Sequence, residues 1–315
     1  MERETLDPSS PHAASLHATV LLNLRAGTLQ RMGGDPAEKV RAAFAAAGMA
    51  ADVRPVDPPD LQAAVDDLLR QPDRGPIVVG GGDGTINAAA AALAGTGRVL
   101  GILPLGTFNH FAKELGIPLD IEAAARLIAA GAVRERDVAE VNGRVFINHS
   151  AVGIYPEVLR HRELQQARGR SKQMGMLLAC VRVLRRFPRF GLRLHVGGEA
   201  RARRTAFVFL SNNRYIIENY GLRELAAEDA GRLLLVATHG TTRAGLVWLG
   251  VRALLGRLRP GDVDAVVFTE AVIESRRRHL RVNLDGELAM LTPPLAYRVR
   301  PGALRVLAAL PDGTT

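Results

Sequence analysis

Cysteine is nearly absent, and Cys180 is the only one in 315 residues. That excludes an internal disulfide framework and a cysteine-built zinc site, and it fits a reducing compartment. Lysine is almost as scarce (Lys39, Lys113 and Lys172), so arginine carries the net charge of +9. Aromatics make up only 4% of the chain, too few for the stacking platforms that hold single-stranded nucleic acids, so nucleic acid is not an expected partner. No apolar run approaches the roughly 20 residues a spanning helix requires. The candidate run at residues 174–181 stops at Arg182. The opening Met-Glu-Arg-Glu leads into polar Asp7-Pro8-Ser9-Ser10-Pro11, without the basic start and apolar stretch of a secretory signal. The expectation is a cytoplasmic protein. An arginine excess favours anionic partners, either phosphorylated ligands or a lipid surface, and is equally what genome composition bias produces.

What is present suffices for about two domains, since 47% apolar and 23% charged residues exclude an unfolded polar chain. Residues 1–17 read as disordered. Over residues 18–133 strands and helices alternate. Strand-like runs lie at 18–24, 52–56, 76–80 and 98–103, and helices at 35–48, from Asp60, at 85–93, and from near Asn109 and Asp120. Asp35-Pro36 places an N-cap and a proline at the first helical position. This alternation predicts an α/β domain with a parallel sheet, which binds ligands at the C-terminal ends of its strands. From 134 to 310 apolar runs are divided by hairpin signals: Asn142-Gly143, Gly197-Gly198, Asp285-Gly286, Pro293-Pro294 and Pro301-Gly302. They predict a β-rich, mainly antiparallel sandwich with helices inserted at about 156–187 and 242–258.

The sharpest local signal is Gly80-Gly81-Gly82-Asp83-Gly84-Thr85-Ile86-Asn87. Glycines between a strand and a helix let the backbone turn tightly and aim N–H groups at an anion, with the helix dipole adding attraction. No Gly-Lys-Ser/Thr closes the loop and the Gly-x-Gly-x-x-Gly spacing is missing, so it is neither a Walker loop nor a Rossmann fingerprint. A carboxylate beside phosphates is repelled unless it ligates magnesium or serves as a base, which makes Asp83 the odd residue. A plain glycine turn with an exposed Asp is the alternative. The next strand ends in Leu103-Pro104-Leu105-Gly106-Thr107-Phe108-Asn109-His110-Phe111-Ala112-Lys113. Here Gly106 permits close backbone approach, while Thr107 and Asn109 offer a hydroxyl and an amide at a helix start. Two polar, glycine-containing loops at successive strand ends are what a nucleotide cleft needs.

With these motifs the chain resembles the diacylglycerol kinase catalytic-domain family, soluble lipid kinases that include bacterial members and the sphingosine kinases. The matching pieces are residues 23–27, 81–87, 103–109 with Phe111-Ala112, Phe146-Ile147-Asn148 leading to Gly153, and Leu284-Asp285-Gly286-Glu287. The resemblance implies an N-terminal α/β domain, a C-terminal β-rich domain and an ATP site in the cleft between them. It implies ATP held by Asn23, Gly81, Gly82, Asp83, Gly84, Thr85, Ile86, Asn87, Gly106, Thr107 and Asn109, and Glu287 as proton acceptor. Three departures stand out. Asn23-Leu24 replaces the common Asn-Pro, His110 replaces the usual Asp, and the run Glu228-Asp229-Ala230-Gly231 sets Asp229 one place early for the family's accessory magnesium site.

In-line phosphoryl transfer to an alcohol needs a carboxylate, Mg2+ and amide donors. Glu287 is the first candidate for the base and Asp83 the second; Asp83 and Asp229 are the candidate metal ligands. Asp285-Gly286 is also readable as nothing more than a hairpin turn. Met174, Leu177, Leu178, Val181 and Leu184 share one helical face, with Arg182, Arg185 and Arg186 on the same segment. Such a helix suits transient docking on an anionic membrane, or packing on the β domain with solvated arginines. The histidines show no zinc-binding spacing, and Ser150 lacks a nucleophile elbow.

The expectation is thus a peripheral, ATP- and Mg-dependent kinase of lipid metabolism and phospholipid biosynthesis, phosphorylating diacylglycerol or a related membrane lipid. A homodimer is one option for its assembly. The alternatives are an NAD kinase-like small-molecule kinase, or a non-catalytic lipid- or nucleotide-binding regulator of the same fold.

Overall fold

In the computed structural model the described residues are 17–31, 33–72, 75–169, 171–186, 190–196, 199–212, 218, 231–238 and 242–309. The chain divides into two compact units, Met1–Arg136 with Ala303–Thr315, and Asp137–Gly302.

The first unit alternates as its sequence pattern requires: β1 (His17–Leu22), α1 (Pro36–Ala46), β2 (Ala50–Pro55), α2 (Leu61–Arg70), β3 (Ile77–Gly81), α3 (Asp83–Leu93), β4 (Val99–Pro104), α4 (His110–Glu114) and α5 (Ile121–Ala130). The strands order as β2-β1-β3-β4, all parallel. Every residue of β3 is buried, as expected of a strand covered on both faces. Helix starts are set by side chains: Asp35 accepts the Ala37 N–H at 2.9 Å and Asp120 the Ala123 N–H at 2.9 Å. Helix α3 begins two residues before the predicted Thr85, which puts Asp83 in its first turn, where the dipole favours a carboxylate.

The second unit contains β5 (Ala132–Val141, from Asp137 onward), β6 (Arg144–Phe146), β7 (His149–Gly153), α6 (Ile154–Gln166), α7 (Lys172–Arg186), β8 (Phe190–Val196), β9 (Glu199–Thr205), β10 (Phe207–Ser211), β11 (Leu233–Thr238), α8 (Arg243–Leu254), β12 (Val263–Phe268), β13 (Glu270–Ser275), β14 (Leu280–Leu284), β15 (Glu287–Leu291) and most of β16 (Leu295–Ala308). One sheet runs β12-β11-β10-β7-β14-β15, antiparallel throughout. Strands β9, β8, β13 and the first part of β16 form a second antiparallel set. A core including Phe146, Val152, Leu210, Leu235, Ile273, Val282 and Tyr297 fills the sandwich. Tyr297 is 1% exposed, and its hydroxyl lies 3.0 Å from Ser150 Oγ, so its polar end is satisfied inside the core.

Three details differ from the sequence pattern. The stretch 156–187 is two helices, parted by a turn in which Gly169 adopts φ +77°. The packed face of α7 is Ala179 and Val183 with Met176 and Cys180, set against Val158 and Ile154 of α6. Met174 and Val181 of the anticipated apolar stripe are exposed instead. Small residues win the interface because they allow close approach: a Cβ on Gly175 would sit 3.4 Å from the Arg162 carbonyl oxygen. Finally, residues 303–308 of β16 belong to the first unit, where Arg305 and Val306 pair in parallel with Val99 and Leu100 of β4. The expectation for residues 1–17 lies outside the described residues save for His17, which opens β1. Gly197-Gly198 lies outside them as well.

Candidate functional site

Strands β1, β3 and β4 are neighbours, and their C-terminal ends carry the loops singled out by sequence. The backbone joins them: Asn23 N–H donates to the Gly80 carbonyl at 2.9 Å, Leu105 N–H to the Gly81 carbonyl at 2.9 Å, and Thr28 N–H to the Leu105 carbonyl at 3.2 Å. Side chains tighten the cluster. Buried Asn23 donates from Nδ2 to Thr85 Oγ1 at 2.9 Å and accepts the Arg25 N–H at 2.9 Å.

Glycine is required here by space. A Cβ on Gly106 would lie 2.6 Å from Gly82 Cα and 2.8 Å from Asn109 Oδ1; one on Gly81 would lie 2.6 Å from Thr85 Cβ. The two loops therefore touch backbone to backbone. Asn109, at φ +51°, closes its own turn by accepting the Gly106 N–H at 2.9 Å and donating to the Gly106 carbonyl at 3.0 Å. Asparagine tolerates the left-handed region better than most residues.

Asp83 clasps the loops. Its Oδ2 accepts the Asn109 N–H at 3.0 Å and its Oδ1 the His110 N–H at 2.8 Å. A carboxylate that would otherwise repel phosphates is thereby neutralised in part at the start of α4. The His110 ring stacks on exposed Phe108, with centroids 5.6 Å apart. Burial holds the His110 pKa below its usual value, with Asp83 opposing and Lys113 assisting, which favours the neutral ring.

In the second unit, Asp285 and Gly286 are a two-residue hairpin loop with φ +51° and +100°, joining β14 to β15. The turn also has a second function. The Asp285 carboxylate accepts the N–H groups of Ile147 at 2.7 Å and of Asn148 and His149 at 2.8 Å each, while its own N–H donates to the His149 carbonyl at 2.9 Å. Burial pushes its pKa up to about 6 against those three bonds, with the neighbouring Glu287 charge adding to the rise. Glu287 itself is exposed at the head of β15, and its carboxylate makes no hydrogen bond or ion pair among the described residues.

Residues 17–141 match the family model of the diacylglycerol kinase catalytic domain, and residues 151–308 match the YegS C-terminal NAD kinase beta sandwich-like domain. A "probable lipid kinase YegS-like" of Pseudomonas aeruginosa is 34% identical over 302 residues, covering 88% of this chain and 91% of the relative. Another of the same description, from Pseudomonas syringae pv. tomato, is 32% identical over 264 residues and covers 78% and 80%. The chain belongs to the YegS-like lipid kinase family. Its fold agrees with a solved structure described as a diacylglycerol kinase from Bacillus anthracis str. Sterne, with TM-score 0.67 and 20% identity over 95% of this chain and 98% of that one.

Within this lipid kinase-like chain the expected nucleotide residues divide by environment. Asn23, Gly82, Asp83, Thr85, Gly106 and Asn109 are drawn together by the contacts above. Ile86 is 4% exposed and packs in the core. Gly84 and Thr107 stand exposed at the rim, and Asn87 is half-buried in α3. Arg182 and Arg185 are exposed on α7. Arg186 lies on the same helix, its side chain outside the described residues, and Asp229 is outside them altogether.

Sequence reasoning passed over two carboxyl groups. One is Asp285, read only as part of a turn. The other is Glu114 at the end of α4, whose pKa burial pushes up to about 7 while Arg136 pulls it down. Neither has a local signature, because the partners of each come from distant parts of the sequence.

Proposed function

We propose that this protein is an ATP-dependent kinase that moves the γ-phosphoryl group of ATP onto a hydroxyl of a membrane lipid, diacylglycerol or a close relative. The observation that carries this reading is the junction of the β1, β3 and β4 loops, where glycine at 81 and 106 lets the backbones pack against one another and Asp83 and Asn109 fix the arrangement. Such loops bind phosphate through backbone N–H groups, with Thr85, Thr107 and Asn87 adding polar contacts. The reaction forms a bond from the lipid oxygen to Pγ and breaks the bond from Pγ to the β,γ-bridging oxygen, releasing ADP. Glu287 takes the hydroxyl proton, and its free, exposed carboxylate suits that task.

Mg2+ neutralises phosphate charge when bound. Among the described residues no group of three or more His, Cys, Asp or Glu side chains forms a dedicated metal cage. Asp83, the single carboxylate of these loops, would hold the ion together with the phosphates and water, and Asp229, the other candidate ligand, lies outside the described residues. Docking on anionic lipid of the cytoplasmic side is transient and peripheral, with α7, the helix of Arg182, Arg185 and Arg186, contributing charge to it. No helix among the described residues is long and apolar enough to cross a membrane.

Full-length protein incubated with γ-labelled ATP and a total lipid extract in detergent micelles should label one lipid class. Glu287→Gln should lower kcat by about a hundred- to ten-thousand-fold with little change in KM for ATP. Label entering NAD instead, or no turnover by wild-type protein, would replace this reading by the small-molecule kinase or the regulator.

A further inference from the structure

Helix α8, Arg-Ala-Gly-Leu-Val-Trp-Leu-Gly-Val-Arg-Ala-Leu, is apolar nearly all round. Thr242 caps its start by accepting the Gly245 N–H at 3.1 Å. A helix of this composition is ordinarily buried on every side, yet among the described residues α8 is covered on one side only. Leu249 packs on the sheet residues Leu234, Val236 and Val263. The opposite face is bare: Val247, Trp248, Val251 and Leu255 follow at helical spacing and form a ridge, with Trp248 65% and Leu255 61% exposed. A shallow groove lined by Trp248, Val251, Leu255 and Leu258 continues the ridge, with Arg257 and Arg259 at its rim.

The charge around the ridge is predominantly positive, its near carboxylate Asp262 being engaged by Arg252 and by the Arg259 N–H. From residue 239 to 261 the sequence has no Asp or Glu and four arginines, Arg243, Arg252, Arg257 and Arg259. Arg252 is held by Asp262 at 2.7 Å. Arg243, Arg257 and Arg259 make no side-chain ion pair among the described residues. Exposed contiguous apolar surface marks an interaction site, and the charge selects the partner. A second copy meeting the ridge about a two-fold axis would set arginines against arginines. An anionic bilayer attracts them, and takes the apolar ridge into the acyl boundary with the tryptophan at headgroup level.

We propose that the outer face of α8 is a membrane-docking surface that seats the protein on anionic phospholipid. The inference draws on the lipid kinase reading, because an acceptor hydroxyl on a membrane lipid must be met at the bilayer, but it is tested without turnover. Trp248 is the only tryptophan of the chain, so intrinsic fluorescence reports this face alone. Vesicles of phosphatidylcholine and phosphatidylglycerol, with no ATP and no diacylglycerol, should shift its emission to the blue, and brominated lipid should quench it. Arg257→Gln with Arg259→Gln should weaken vesicle partition about thirty-fold at low salt, about five-fold for each charge removed. Val251→Asp, on the solvent side and so without effect on the fold seen by circular dichroism, should sharply reduce sedimentation with vesicles.

Three outcomes overturn the proposal: no sedimentation of wild-type protein, sedimentation with unchanged tryptophan emission, or a blue shift that grows with protein concentration alone as the mass doubles. The last would assign the face to a second copy. Labelling in detergent micelles judges the kinase reading separately, so either can fail without the other.

Discussion

Asp285 offers the most quantitative test, because two opposed effects meet on one carboxyl group. Three backbone N–H groups favour its charged form, and burial together with Glu287 disfavours it; burial wins, raising the pKa from 3.8 to about 6. The folded protein thus holds this proton more tightly than the unfolded chain does. The associated stability is fully present below about 3.8 and is lost as pH rises through about 6. A shift of about two units at about 1.4 kcal/mol each amounts to about 3 kcal/mol. Asp285→Asn removes the titration and keeps one acceptor oxygen for the Ile147, Asn148 and His149 amides. It should carry a constant penalty of about 1–3 kcal/mol for the lost acceptor. On top of that offset, the variant should gain about 3 kcal/mol relative to wild type between pH 4 and pH 7. Urea unfolding followed by circular dichroism at several pH values measures the difference, and groups that titrate alike in both proteins cancel. A gap that stays constant with pH would refute the reasoning and show that the three N–H bonds balance burial, and one in which wild type gains as pH rises would show that they outweigh it.

Two further expectations concern the nucleotide loops. Asp83→Asn turns one acceptor into an N–H donor facing a backbone N–H, so unfolding should become easier by about 1.5–3 kcal/mol. Calorimetric ATP affinity should fall with it, and unchanged stability and affinity together would show that the clasp is dispensable. Gly106→Ala drives a methyl group into the Gly82 backbone, which should lower stability by about 1–3 kcal/mol and weaken ATP binding. Gly84→Ala serves as its control, since a Cβ there meets nothing within 4 Å and thermal unfolding should be unchanged or slightly later; equal losses in both variants would contradict the packing account.

The alternation of the first unit was legible because caps such as Asp35-Pro36 and Asp120 act locally, within three residues. The glycine loop was legible because only glycine meets its steric demand. What Asp83 does was not, since the N–H groups it accepts lie 26 and 27 residues away. The same holds for Asp285, whose amide partners are 136 to 138 residues distant. Periodicity located α7 and its apolar stripe, but not the side that packs on α6, because hydrophobicity counts large side chains whereas close helix packing selected Ala179 and Gly175. The exposed ridge of α8 was equally invisible, because an apolar helix reads as core until the structure shows Val247, Trp248, Val251 and Leu255 exposed.

The path of β16 bears on how the protein is made. The strand segment that lies beside β4 is supplied by residues near 305, so the first unit is encoded in two pieces with the whole second unit between them. During synthesis β1 to β4 emerge before the second unit, so the edge of β4 waits for its neighbour until that whole unit has left the ribosome. An unpaired edge is open to pairing with other chains during that interval. The second unit has by then been exposed in full and can complete its own core. Pairing of the outer edge of β4 in the nascent protein is therefore set by the arrival of the residues near 305, after the whole second unit.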